Sequence, residues 1–141
     1  MELRDDIYAR VTSLSATANE LMEEGKFAEA IKVFDQALLE LPEPKASWEA
    51  SMWLNASIGD AQFQLRNFAE AKEAMFDAIN CLDGVANSFI LLRLGEALFE
   101  LGDRESAREY LLRAFMVAGD ELFKADLDRP YLEFLRSTGV L

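Results

Sequence analysis

The reactive side chains of this 141-residue chain are few in kind. It has no histidine and a single cysteine, Cys81, against 26 aspartates and glutamates. Without histidine there can be no His-based triad, no Cys–His dyad and no histidine metal site, and one thiol cannot build a thiolate zinc site. Cys81 falls near the end of an apolar helical stretch, where a thiol packs as a small buried hydrophobe rather than a nucleophile. The seven glycines form neither a GxGxxG fingerprint nor a phosphate loop. Asp126-Leu127-Asp128 is too short for a calcium loop. Glu23-Glu24 and Glu70 with Glu73 read as charged helix faces, and among so many acids a pair suited to acid–base work says nothing. The chemistry therefore points away from an enzyme, with no catalytic residue, no metal ligand and no cofactor expected.

Charge narrows the partners. The net charge is −12, with an isoelectric point near 4.4. Nucleic-acid binding rests on Lys and Arg neutralising phosphates, so nucleic acid is not expected, and neither is an anionic membrane surface. A basic protein partner is compatible, although acidity also serves plain solvation. A lone cysteine forms no internal disulfide and fits a reducing compartment. The opening "MELRDDIYAR" has no apolar run of the kind a signal peptide needs, and no stretch approaches the length of a membrane span. A cytoplasmic protein is expected.

If chemistry resides anywhere it is in a surface, and the elements that would build that surface repeat. "GKFAEAIKVFDQALLELP" begins at Gly25, and "RNFAEAKEAMFDAINCLD" begins at Arg66. A third, more diverged copy, "GDRESAREYLLRAF", begins at Gly102. In register, Ala30, Ala71 and Ala107 coincide, each followed by a large apolar residue (Phe34, Met75, Leu111) and then by Ala37, Ala78 or Ala114. That spacing marks one face of a helix, and small residues beside large ones let a second helix come close. The second helix precedes each copy as another apolar stripe: Leu14, Ala18 and Leu21; Ile58, Gly59 and Phe63; Leu91, Leu94, Gly95 and Leu98. Short polar turns join the pairs, with Gly25 and Gly102 suited to the left-handed conformation that ends a helix.

Three such helical hairpins resemble the tetratricopeptide repeat, a unit of about 34 residues. The first copy matches best, through Ala18, Gly25, Phe27, Ala30, Phe34, Ala37 and Pro42. The second keeps Gly59, Phe68, Ala71 and Ala78 but has Arg66 where the family has glycine; the third keeps Gly95, Gly102, Ala107 and Ala114. The expected fold is all-α: a right-handed superhelical stack of three repeats with a C-terminal capping helix, about seven helices in one domain. The repeats are placed at about 3–44, 45–83 and 86–119, with an extension and cap over 120–141. The longer spacing from Ala30 to Ala71 predicts an overlong helix at about 45–65 after Pro42 and Pro44. It also predicts extra turns through Leu3, Ile7 and Val11, and a loop around Asp83-Gly84. Phe115, Ala118, Leu122 and Phe123 are read as continuing the last repeat helix, and Pro130 as opening a short helix that bears Tyr131, Phe134 and Leu135. That helix either caps the open end of the stack or is a detachable tail that docks on a partner.

The resemblance implies protein or peptide binding in a concave groove lined by the first helix of each pair. On that stripe lie Asn19, Met22 and Glu23, then Trp53, Asp60 and Phe63, then Phe89, Glu96 and Phe99. These nine are the candidate partner-binding residues. Aromatics would anchor a segment, while the carboxylates, with Asp60 and Glu96 expected at the surface, would attract Lys or Arg. The plainer reading is that Trp53, Phe63 and Phe89 pack against neighbouring repeats. Some members of the family clamp carboxylate tails with Lys, Asn and Arg; the matching positions here hold Ser15, Asn19, Ser57, Phe89 and Arg93, so no clamp is expected. The functional reading is an adaptor that binds a basic or amphipathic segment, in a narrower form an acidic antidote or chaperone for a basic protein. The competing reading is a homo-oligomer that buries the same stripe.

Overall fold

The computed structural model describes residues 3–81, 84 and 86–141. The described residues form seven α-helices and no strand. In chain order these are α1 (Asp5–Glu23), α2 (Phe27–Glu40), α3 (Glu49–Gln64), α4 (Phe68–Ile79), α5 (Ser88–Glu100), α6 (Arg104–Ala118) and α7 (Arg129–Ser137). The first six pack as hairpins, α1 on α2, α3 on α4 and α5 on α6, and each hairpin stacks on the next. Ala30, Ala71 and Ala107 are all buried where paired helices meet. The reason for small residues opposite them is visible in two pairs. A Cβ on Gly59 would come within 3.0 Å of the Met75 side chain, and one on Gly95 within 2.8 Å of the Leu111 side chain. Ala18 and Phe34, at the same offset in the first hairpin, are both fully buried.

The three hairpin turns share one backbone solution. In each, an N–H just past the turn bonds back to a carbonyl in the preceding helix: Lys26 to Leu21, Asn67 to Gln62 and Asp103 to Leu98, at 2.8, 2.9 and 3.0 Å. This closure needs a left-handed residue. Gly25 (φ 76°) and Gly102 (φ 90°) supply it, and in the middle repeat Arg66 adopts it with φ 63°.

Two expectations are corrected. The helix predicted over 45–65 is broken: Lys45–Ser47 form a 3₁₀ turn, Trp48 is extended, and α3 starts at Glu49. Side-chain bonds hold the break. Lys45 Nζ donates to the Leu38 and Leu41 carbonyls at the end of α2, and the Trp48 indole donates to the Pro42 carbonyl at 2.8 Å. The helix expected to continue to Phe123 stops at Ala118, because Gly119 (φ 72°) turns the chain. A 3₁₀ turn over Asp120–Phe123 then buries Phe123 beside Phe115, ring centres 6.4 Å apart. The extra turns of α1 are present, with Val11 in the core and the partly buried Ile7 packed against it. Of the loop predicted at Asp83-Gly84, Asp83 lies outside the described residues.

Candidate binding face

The first helices α1, α3 and α5 line one continuous face, and the nine candidate residues divide into two groups on it. The first group borders an open cavity of about 600 Å³ that draws on all three helices: Asn19, Met22 and Glu23 from α1, Trp53 and Asp60 from α3, and Phe89 from α5. Met52 and Ala56 form part of its floor, with Ser57 and Asn87 on its rim. Asn19 and Glu23 are exposed, Met22 and Phe89 half-buried, and Trp53 retains 36 % of its surface. The cavity thus offers aromatic and thioether surface with carboxylates at its edge.

The second group, Phe63, Glu96 and Phe99, is covered by the chain itself. Tyr131 of α7 meets Phe63 with ring centres 6.5 Å apart and Phe99 at 5.5 Å, and Phe134 meets Phe99 at 4.8 Å, all edge to face. The Tyr131 hydroxyl donates to Glu100 at 3.1 Å. Leu135 is fully buried. An edge-to-face aromatic pair contributes about 0.5–1.5 kcal/mol beyond the area it buries, so three of them fasten α7 firmly.

Between the groups lies a charged centre that the sequence reading missed. Arg93 of α5 is buried between the rings of Phe63 and Phe89, 5.2 and 5.1 Å from their centres. Its Nε donates to Asp60 at 2.9 Å, and its Nη1 donates to both Glu96 and Asp128 at 2.7 Å. Asp60 comes from α3, Glu96 from α5, and Asp128 from the residue preceding α7, so one guanidinium ties three elements together. Glu96 is 0 % exposed, which corrects the expectation that it sits at the surface; Asp60 is half-buried. Burial first, and then hydrogen bonding with Asp128, push the Glu96 carboxyl up to about 10. Burial thus holds the Glu96 carboxyl toward its neutral form, and its Oε2 has no hydrogen-bond partner among the described residues. Burial works against the Arg93 charge, but the surrounding carboxylates outweigh it and hold the guanidinium ionised. Asp60 and Asp128 bring carboxyl oxygens to it from α3 and from the residue before α7. A trace was present in the sequence: in "SFILLRLGEALFE" one Arg and one Glu, three apart, interrupt an otherwise apolar helix up to its closing Glu100, and such a pair is buried together or not at all.

Arg93 and Ser15 show what became of the family's clamp positions. Arg93 is spent on internal carboxylates, and Ser15 is buried with its hydroxyl donating to the Val11 carbonyl at 2.7 Å. Cys81 is a buried free thiol; burial pushes it up, and it donates to the Asp77 carbonyl at 3.1 Å. Among the described residues no cluster of His, Cys, Asp or Glu is arranged to hold a metal ion, and no helix is long and apolar enough to cross a membrane.

Comparison with known proteins agrees with this geometry. The tetratricopeptide-repeat family model matches residues 90–121, which take in most of the α5–α6 hairpin. Among solved structures, the first such domain of Spaghetti (RPAP3), bound to the HSP90 peptide SRMEEVD, superposes with a TM-score of 0.73 at 19% identity, covering 94% of this chain and 95% of that one. The second such domain of human RPAP3, in complex with the HSP70 peptide SGPTIEEVD, gives 0.72 at 20% identity over 92% and 98%. The type III secretion chaperone SycD of Yersinia enterocolitica, in complex with a peptide of the translocator YopD, gives 0.74 at 17% identity over 99% and 98%. No curated protein matches the chain in sequence.

Proposed function

We propose, starting from a chain that carries tetratricopeptide repeats, that it is a protein-interaction module whose concave face holds a basic or amphipathic segment of another protein. The observation that carries this reading is the open cavity of about 600 Å³ to which all three repeats contribute. Its apolar part (Trp53, Phe89 and Met22) suits a hydrophobic anchor, and the exposed Glu23 at its edge suits a Lys or Arg beside that anchor. The net charge of −12 adds long-range attraction for a basic partner and faster encounter. Structures of the same fold that hold peptides support segment binding; the charge of the segment is read from this chain's own lining. A chaperone or antidote for a basic protein is the narrower form of the same reading, and the free thiol of Cys81 fits a cytoplasmic setting.

The test is a displayed library of random peptides, selected on the wild-type chain and counter-selected on Trp53→Ala. Enriched peptides should pair an aromatic or aliphatic residue with Lys or Arg. They should lose about 2 kcal/mol of affinity on Trp53→Ala if Trp53 is the anchor. Glu23→Gln should mainly slow association and flatten its salt dependence. Peptides that bind wild type and Trp53→Ala equally would move the binding surface elsewhere. Self-association that Trp53→Ala abolishes would favour the oligomer instead.

A further inference from the structure

The filled half of the concave face is occupied in the manner of a ligand. Tyr131 bridges the second and third repeats by touching both Phe63 and Phe99. A lid needs only apolar contact, yet this one is seated on a buried charged seam in which Asp60, Glu96 and Asp128 surround one guanidinium. Such a seam stabilises less than well-packed apolar groups of the same volume, and it makes the fit specific for an occupant that brings a carboxylate. The occupant is joined to the last hairpin by an exposed turn. Residues 124–127 are all exposed and follow the turn at Gly119. A helix of nine residues has little stability without a surface to rest on.

We propose that residues 128–137 are an intramolecular ligand of the concave face, latched by Asp128 on Arg93, and that this half is a docking site for a helix carrying a carboxylate one turn ahead of an aromatic residue. Asp128, Tyr131 and Phe134 define that pattern in the present occupant. The site is separate from the open half and calls for a different partner, an acidic–aromatic helix that exchanges with α7. Docking is also linked to protons. Glu96 bonds Arg93 on its own helix, whose guanidinium also holds Asp60 of α3 and Asp128 ahead of α7; Tyr131 of α7 also acts on it, with Glu100 bonded to Tyr131. On this proposal undocking opens the Arg93 centre to water and relieves the burial that holds Glu96 toward its neutral form, so alkaline conditions favour release.

Hydrogen exchange read by mass spectrometry on the full chain tests this without any partner, so its failure is distinct from failure of the basic-segment reading. In Asp128→Asn, amides of residues 131–137 should exchange roughly tenfold faster while those of α6 stay unchanged. In Glu96→Gln, which fixes the neutral form, the same α7 amides should exchange severalfold more slowly at pH 8, a change no folding defect can mimic. A fluorescent synthetic peptide of residues 123–141 should bind the Asp128→Asn chain at least about tenfold more tightly than wild type, because the site is vacated more often. If α6 and α7 accelerate together in Asp128→Asn, α7 is an inseparable part of the core and the proposal fails. It also fails if Glu96→Gln leaves α7 exchange unchanged.

Discussion

The two halves of the concave face are made from the same materials, yet they are in opposite states. Trp53 and Phe89 with Asp60 border an open cavity; Phe63 and Phe99 with Glu96 lie beneath α7. Each half pairs aromatics with a carboxylate on the first helices of the hairpins. The difference comes from residues far along the chain, Asp128 and Tyr131, which cover one half only. Covering changes what a carboxylate does. At the rim, Glu23 is exposed and able to attract a cation, whereas burial holds Glu96 toward its neutral form.

The largest contrast should appear on removing the central cation. Arg93→Ala leaves Asp60, Asp128 and Glu96 without it in a buried site, and should lower stability by about 3–5 kcal/mol. Glu23→Ala in the open half should stay within about 0.5 kcal/mol of wild type. Urea denaturation of both variants checks the pair, and similar midpoints would erase the distinction drawn between the halves. The aromatics should follow suit. Phe63→Ala vacates a site enclosed by Phe68, Tyr131 and Arg93 and should cost about 3 kcal/mol. Trp53→Ala removes a partly solvated side chain and should cost clearly less, its main effect falling on binding.

Glu96 supplies the next effect in size, and it depends on pH. Its carboxyl is raised from 4.5 to about 10 on folding, so between those limits the folded chain binds one more proton than the unfolded chain. Stability from this group is fully present below the unfolded value and is lost as pH rises through the window. Glu96→Gln removes the ionisation and keeps a donor for Asp128. The variant should match wild type near pH 5 and exceed it by about 1–3 kcal/mol near pH 8. Chemical denaturation at the two pH values decides the matter; a constant difference between the proteins would mean that Glu96 is ionised in the fold.

The hairpins were legible in the sequence because their cause is local. The alanines at 30, 71 and 107 and the glycines at 59 and 95 sit where no larger side chain fits, so their spacing states the packing directly. Six of the nine groove candidates also come together around one cavity, because repeats in phase present equivalent positions to one face. The fate of Phe63, Glu96 and Phe99 could not be read that way. It depends on a turn at Gly119 and on a contact between Arg93 and Asp128, thirty-five residues apart, that no periodicity encodes. The break at Trp48 escaped for a related reason: its helix-compatible composition is overridden by an indole bond to the Pro42 carbonyl and by Lys45 reaching back onto α2.

The smallest expected effect concerns the turn at the edge of the filled half. Arg66 is the one non-glycine residue with positive φ among the described residues, and its guanidinium lies 5.2 Å from the centre of Phe68, which in turn packs on Phe63. Two small terms oppose each other. The left-handed conformation costs a residue with a Cβ about 1 kcal/mol, and an exposed cation over an aromatic ring returns about 0.5–1 kcal/mol. Arg66→Gly should therefore leave stability nearly unchanged, whereas Arg66→Ala keeps the strain, loses the stacking, and should fall below Arg66→Gly by about 1 kcal/mol. The third repeat offers the mirror test. At Gly102 a Cβ would meet nothing within 4 Å, so Gly102→Ala isolates the backbone term and should cost about the same 1 kcal/mol. Thermal melts of the three variants would show whether those two differences agree. If Arg66→Ala melts with Arg66→Gly while Gly102→Ala is destabilised, the strain in the middle turn is relieved by its surroundings, and the edge of the filled half yields more readily than its packing implies.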